Sequence, residues 1–425
     1  MTRELFDRER LAGYDREILD HACVTLVGCG AGSNNVAQCL ALAGVRELRC
    51  IDFDFVEVSN LTRAPLFARS RNRVASKRSN KAKELALAAL DLSYAEAPVV
   101  RYAPHRIEAL GLGAFKGSDV VIAGVDNAGV RATLAKATGL LGIPMVEGGF
   151  SGLRGNVSAY ANIDPDEPCY CCLNPNATPA RVSCETYAAR VVAEGRVPAT
   201  QTMAALTGAL VAEAVIRLLH GDRQLSGHVL SLDATTWRTS RMKVARDPEC
   251  RWAHRRIESI APVPVGADDP VERLFEALPD LKEPELMLPD GYIDTMPCER
   301  CGNRVRIRKP EWAFAPPPQC AACPETPPAK REMIETHASV APGSALARQS
   351  LRRLGLPPCS IVEVCDRATQ ASLWVELAGS VYDLFVTRQR GERPAACNVA
   401  ADASMDPSET HDECRLLDQH TEQTP

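Results

Sequence analysis

What this sequence has little of narrows its class before any motif is read. It has no excess of basic charge: Asp and Glu outnumber Lys and Arg, and the formal net charge is −5. A slightly acidic chain gives no support to binding nucleic acid or an anionic membrane surface through the whole molecule. No apolar run reads as long enough to span a bilayer, and Met1-Thr2-Arg3-Glu4-Leu5 does not begin a secretory signal. Together these absences make a cytoplasmic location the expectation. The 425 residues suffice for two or three domains, one with a substantial core, and 45% apolar content is that of a globular protein.

Cysteine, by contrast, is abundant, with 17 in the chain. A disulfide framework would need an export route, and several of these cysteines fall in C-x-x-C pairs, which favours metal ligation over oxidation. Cys23, Cys39 and Cys50 lie in apolar segments and read as small core residues, as do Cys359 and Cys365.

After a polar lead-in containing Arg8 and Arg10, strand-like runs at 24–27, 48–53, 98–102, 119–123 and 144–147 alternate with helical runs at 34–43, 79–92, 106–109 and 128–141. Such alternation predicts an α/β fold, a doubly wound, mainly parallel sheet covered on both faces. A strand pair at 151–161, an irregular crossover loop at about 174–201, an apolar helix at 202–219 and strands at 227–233 and 237–244 complete a first domain, 1–255. Residues 256–292 read as a Pro- and acid-rich linker with one short helix at 271–277, and 293–330 as a Cys-bearing ribbon. A small α/β domain at 331–390 is expected to hold a helix at 345–354 and strands at 360–365 and 373–377. The polar, acidic tail 391–425 is expected to be disordered.

The first strand leads into Gly28-Cys29-Gly30-Ala31-Gly32-Ser33. Gly28 and Gly30 allow a tight turn and close approach of a phosphate to a helix N-terminus, although Ser33 replaces the third glycine of G-x-G-x-x-G. Asp52, 24 residues after Gly28, stands where a carboxylate would grip a ribose hydroxyl. So far an NAD-dependent oxidoreductase fits equally well. The residues just downstream are unlike a dehydrogenase: Asp54 shares a face with Asp52, Asn60 and Arg63 come soon after, and eight basic residues with no acidic one run from Arg63 to Lys83. Asp126 then ends another strand, where a carboxylate can hold Mg²⁺. This set suits ATP chemistry at phosphorus better than hydride transfer.

Val27-Gly28-Cys29-Gly30, Leu42-Ala43-Gly44-Val45, Asp52-Phe53-Asp54, Ser59-Asn60-Leu61-Thr62-Arg63, Asp126-Asn127 with Arg131, and Pro168-Cys169-Tyr170-Cys171-Cys172-Leu173 resemble one known family. It is that of the adenylating enzymes which activate ubiquitin and ubiquitin-like sulfur carriers, including the molybdopterin-synthase and thiamine-pathway adenylyltransferases. The likeness covers roughly residues 5 to 255, with Ser33, the long basic segment and the C-terminal extension as departures. It implies that ATP binds over Gly28 and Gly30, that Asp52 holds the ribose, and that Asp126, helped by Asp54 and beside Asn127, holds Mg²⁺. It also implies phosphate contacts from Asn60, Arg63 and a lysine, Lys81 or alternatively Lys77. Arg8 or Arg10 resembles an arginine that enters a neighbouring subunit's site, which implies a homodimer; ordinary surface arginines are the other reading. Cys184 lies where thioester-forming members carry their acceptor thiol, or is a loop cysteine without a role.

Two metal sites are suggested. Cys298, Cys301, Cys320 and Cys323 form two C-x-x-C pairs separated by 18 residues, the spacing of a structural Zn²⁺ ribbon. The resemblance places a second set at Cys169, Cys172, Cys250 and His254, where the family often has two C-x-x-C pairs; a Cys₃His zinc site, or three ligands without stable zinc, remain open. The expected partners are a ubiquitin-like protein ending in glycine and a conjugating enzyme, in a bacterial ubiquitin-like pathway. Sulfur-carrier activation is the alternative, and a non-catalytic zinc scaffold or an NAD-binding protein stands behind it.

Overall fold

A computed structural model describes residues 2–70, 79–164, 166–177, 198–250, 254–298, 300–314, 320–323 and 336–390. Cys184, Lys77 and the acidic tail lie outside the described residues.

The strands β1 (Cys23–Val27), β2 (Glu47–Ile51), β3 (Val99–Ala103), β4 (Val120–Ala123) and β5 (Met145–Ser151) pair in parallel in the order β3-β2-β1-β4-β5. Antiparallel β6 (Arg154–Tyr160), β7 (His228–Asp233) and β8 (Arg238–Lys243) extend the β5 edge. The helices in chain order are α1 (Thr2–Leu5), α2 (Asp7–Leu11), α3 (Arg16–Leu19), α4 (Ala31–Leu42), α5 (Lys81–Leu92), α6 (Ala128–Leu141), α7 (Tyr170–Leu173), α8 (Gln201–Leu219) and α9 (Val271–Glu276). β1 is buried along its whole length because apolar clusters cover both faces of the sheet. On one face, Val24 and Leu26 join Val36 and Leu40 of α4, Leu85 and Ala89 of α5, and Val211 and Val215 of α8. On the other, Val27, Val121 and Ala123 pack with Leu134 of α6 and with Met145 and Tyr160.

The expectation that no segment has bilayer-spanning character is corrected by α8, whose 19 residues are long and apolar enough by length and composition. Here it packs as a core helix against α4 and β5.

The extension forms a second sheet from β9 (Ile260–Gly266), β10 (Pro284–Pro297), β11 (Arg304–Pro310), β12 (Thr336–Val340), β13 (Ile361–Asp366) and β14 (Ala371–Ala378). Its order is β11-β10-β13-β14-β9, with β12 also on β10. Residues 256–292 are therefore not a plain linker. Val263 and Val265 face the core with Leu274, Leu286, Val364 and Val375, while Pro262 and Pro264 occupy the exposed face of an edge strand, where a missing N–H costs little. The expected helix at 345–354 is also absent; the segment is turns and the short 3₁₀ helix Arg352–Leu354. Its carbonyls at Ala347 and Gln349 accept from Glu272 and Val271, and its amides at Leu351 and Arg352 donate to Asp269 and Ala267. Tertiary hydrogen bonds thus replace the helical ladder that its apolar spacing suggested.

After β14 the chain returns to the first domain. β15 (Val386–Gln389) adds antiparallel to β3, closing the edge opposite β8. Cys359, Leu384 and Phe385 enter the same core cluster as Ile107, Leu110 and Phe115. Lys116 pairs with Glu376 at 2.6 Å. Cys359 is fully buried, as expected of a core cysteine, and Cys365 is partly so.

Candidate functional site

Val27 stands in register with both Ile51 and Ala123, so β2, β1 and β4 end side by side. The winding direction reverses between β1 and β4, and at such a point the strand ends splay into a ligand crevice. The chain leaves these strands at Asp52, Gly28 and Gly124. Gly28 has φ +84, and a Cβ there would lie 2.7 Å from the Gly124 carbonyl oxygen. Gly124 is equally constrained, since a Cβ would lie 2.0 Å from the Ser33 hydroxyl. Ser33 is buried and donates to the Gly28 carbonyl at 2.5 Å. The third-glycine position therefore tolerates serine because its hydroxyl closes onto the turn. Gly30 is the N-cap of α4, leaving that helix's first amides toward the crevice.

Asp52 is fixed by its own turn. Its carboxylate accepts from the Cys29 amide at 2.7 Å and the Asp54 amide at 2.8 Å. Burial pushes its pKa up, and the Lys81 charge pulls it back. Asn80, which the sequence did not single out, organises the same corner. Its side-chain amide donates to the carbonyls of Asp52 (2.9 Å) and Asp54 (3.1 Å), while its oxygen caps α5 by accepting from Lys83 N–H. Lys81 follows at once, its amide bonded to the Asp54 carbonyl at 2.8 Å and its ammonium 2.9 Å from the Asp54 carboxylate. Burial pushes the Lys81 pKa down, but Asp52 and Asp54 outweigh it and leave it raised, so the group is cationic at neutral pH.

The other residues occupy different states. The Asn60 side chain accepts from Glu57 N–H at 2.9 Å, and the Arg63 guanidinium donates to the Ser59 carbonyl, so both are held within their own turn. Asp126 is exposed in the loop between β4 and α6. Asn127 caps α6, accepting from the amides of Gly129 (2.8 Å) and Val130 (3.3 Å). Arg131, one turn into that helix, pairs with Glu147 at 2.6 Å. Glu147 was not foreseen: it is only 1% exposed and lies on β5. Arg8 is exposed on α2. Its neighbour Phe6 and Arg16 pack around Gly44, past the C-terminal end of α4. A 12-residue helix is about 18 Å long, which places this segment far from the chain's own glycine turn.

Both cysteine sets are assembled. In the first, the Cys169 sulfur lies 3.8 Å from that of Cys172 and 3.7 Å from that of Cys250, and Cys172 lies 3.2 Å from His254 Nε2. In the second, the Cys301 and Cys320 sulfurs are 3.7 Å apart. Each chelating pair there sits on a tight turn, with Gly302 N–H bonded to the Cys298 carbonyl and Cys323 N–H to the Cys320 carbonyl. In each set the four ligand atoms lie within 4.8 Å of one another. Sulfurs around tetrahedral Zn²⁺, at Zn–S of about 2.3 Å, are about 3.8 Å apart, whereas a disulfide needs about 2.05 Å. Both groups therefore fit a zinc ion, with four protein ligands and no open position.

The family model of the ThiF family matches residues 6–252. The chain belongs to the ThiF family. It is 30% identical over 244 residues to the molybdopterin-synthase adenylyltransferase of Salmonella typhimurium, covering 56% of this chain and 91% of that relative. To the sulfur carrier protein adenylyltransferase of Thermus thermophilus it is 30% identical over 264 residues, 61% of this chain and 87% of the relative. To the bovine adenylyltransferase and sulfurtransferase MOCS3 it is 31% identical over 265 residues, 58% of this chain and 54% of the relative. Adenylyl transfer is the activity that these three ThiF-family relatives are named for. The matched region ends before β9, so the second sheet lies outside the family domain.

Proposed function

We propose that this chain uses ATP and Mg²⁺ to adenylate the C-terminal glycine of a ubiquitin-like protein and then receives the acyl group on Cys184. The observation that carries the first step is the corner at Gly28, Asp52, Asn80 and Lys81. There a glycine turn made for close approach meets an anchored carboxylate and a lysine held cationic by two aspartates.

The carrier's carboxylate is a poor acyl donor because its leaving group would be oxide. Its oxygen attacks the α-phosphorus of ATP, the bond to the β-phosphate bridge breaks, and pyrophosphate leaves with the electron pair. Asp52 holds the ribose, while Lys81, Arg63 and Asn60 take positions against the phosphates. Negative charge grows on phosphate oxygens in that step; Lys81, already held at the corner, stabilises it with little reorganisation, and Arg63 joins by leaving the Ser59 carbonyl. Asp126, assisted by Asp54, would hold Mg²⁺, which supplies further charge neutralisation. Aligning two anionic reactants is the other large contribution. In the second step the Cys184 thiolate attacks the acyl carbon, forming a thioester and releasing AMP. A conjugating enzyme is the expected acceptor.

In this reading zinc fills both cysteine sets and is structural, because all four coordination positions are taken by protein. Arg8, remote from its own glycine turn, would meet phosphate only from a second copy, which favours a homodimer. The names of the Salmonella and Thermus relatives favour a second reading, activation of a sulfur carrier in a cofactor pathway. The two readings part at Cys184. Replacing Cys184 by Ala should remove a thiol-sensitive carrier adduct and leave carrier-dependent pyrophosphate exchange intact. Loss of both, or of neither, counts against the assigned role of Cys184, and a wild-type chain that exchanges pyrophosphate but forms no such adduct favours the sulfur-carrier reading.

A further inference from the structure

Asp126 is bracketed on both sides. After it, the Asn127 side chain is tied to the first amides of α6. Before it, the Val125 carbonyl accepts two hydrogen bonds from Arg131, from Nε at 3.0 Å and Nη2 at 2.8 Å. Arg131 Nη2 also donates to the Gly148 carbonyl at 3.1 Å, and Nη1 reaches the Glu147 carboxylate at 2.6 Å. One guanidinium therefore ties the β4–α6 loop to the end of β5, using the planar fork that lysine lacks. The space is made for it, since a Cβ on Gly149 would lie 3.3 Å from Nη2 and 3.2 Å from Asn156 Oδ1.

A buried carboxylate is costly unless it is paired. Glu147 is almost fully buried, and burial pushes its pKa up while Arg131 pulls it back. Its ion pair with Arg131 is not needed to hold β5 in the sheet, because backbone pairing with β4 and β6 does that. What the pair adds is a fixed guanidinium beneath the loop that presents Asp126.

We propose that Arg131 and Glu147 are positioning residues for Asp126: Glu147 sets the guanidinium, the guanidinium sets the Val125 carbonyl, and the loop thereby holds the Asp126 carboxylate where Mg²⁺ on the nucleotide must meet it. This rests on the reading of Asp126 as the Mg²⁺ carboxylate. Removing the clamp leaves the Asp52 corner intact and loosens only the metal end of the site.

The test is calorimetric titration of the full chain with ATP across a range of Mg²⁺ concentrations, and with AMP in the absence of Mg²⁺. The variants are Arg131→Lys, Glu147→Gln, Asp126→Asn and Arg131→Lys combined with Asp126→Asn. Arg131→Lys and Glu147→Gln should each raise the half-saturating Mg²⁺ concentration about fivefold or more, with AMP affinity held within about twofold. In the Asp126→Asn background, Arg131→Lys should add no further shift. An unchanged Mg²⁺ midpoint, a full second shift in the double variant, or a parallel loss of AMP binding would each overturn the proposal. If Glu147→Gln does not fold, Glu147→Asp, which keeps the charge but shortens the reach, takes its place with the same expectation. A wild-type chain that binds AMP but gains nothing from Mg²⁺ would refute the Asp126 assignment itself, a result distinct from a clamp without effect.

Discussion

At the scale of single residues, Ser33 explains how a glycine-turn motif survives a departure at its third position. Its hydroxyl points at the Gly28 carbonyl, and the absence of a side chain on Gly124 lets that turn lie close against the end of β4. Gly124→Ala should therefore lower ATP affinity at least tenfold, about 1.4 kcal/mol, because the added carbon collides with Ser33 and with the Gly28 carbonyl. Ser33→Gly in the same chain should restore part of that loss, as read by calorimetry. An alanine at 124 with unaltered affinity would contradict this picture of the turn. Glu47 supports a different prediction. It sits between Arg49 at 2.7 Å and Arg101 at 2.9 Å; burial pushes its pKa up, but the two guanidiniums outweigh that and leave it lowered. A depressed carboxylate contributes stability that is present above its unfolded pKa, about 4.3, and is lost as pH falls through its lower folded value. Glu47→Gln should flatten the acid limb of the stability–pH curve from about pH 4.3 downward, measured by urea unfolding at stepped pH. An acid limb identical to wild type would exclude Glu47 as its source.

At the scale of elements, what the sequence revealed was local chemistry. The glycine turn and the Cys298, Cys301, Cys320 and Cys323 set were legible because each is written in short runs with a characteristic spacing, and the parallel strands because apolar runs alternate with helical ones, whereas the Cys169, Cys172, Cys250 and His254 set came from the family resemblance. Even Arg131 was visible as part of a motif, yet its partner Glu147 was not, since only the register of β5 against β4 brings the two together. The same holds for the extension. The alternation in β9 was masked by prolines that belong to an edge strand, and the segment 345–354 has helical spacing but spends its hydrogen bonds on a neighbouring loop. Nothing local in Val386–Gln389 announces that it will close the edge of β3. Asn80 is the clearest case of one residue serving an element and the site together. Asn80→Ala should cost about 1 kcal/mol as a lost helix cap. It should also weaken ATP binding, because the Asp52 and Asp54 carbonyls lose their shared donor. Thermal unfolding and calorimetry on the same variant separate these effects, and a stability loss with unchanged affinity would confine Asn80 to capping.

At the scale of the whole molecule, the ThiF-family domain and the second sheet are interlocked. Cys359, Leu384 and Phe385 complete a core that begins in the family domain, and β15 covers the edge of its sheet. Deleting residues 386–425 should uncover the β3 edge, lower the thermal midpoint and promote self-association, since an unpaired edge strand invites pairing with another chain. A truncated chain as stable and monodisperse as the full one would show that β15 is dispensable. The two cysteine sets predict two zinc ions per chain by elemental analysis, and a single ion would remove the Cys169, Cys172, Cys250 and His254 site first, because it depends on one histidine in place of a fourth thiolate. Adenylation of a carrier's terminal glycine is tested most directly by exchange of labelled pyrophosphate into ATP. With Mg²⁺ and a Gly-terminated ubiquitin-like or sulfur-carrier protein, exchange should appear, should vanish when the carrier's last glycine is removed, and should fall at least a hundredfold, about 2.7 kcal/mol, in Lys81→Ala. A chain that binds MgATP yet supports no exchange with any such carrier, or exchanges equally well without one, would contradict the account.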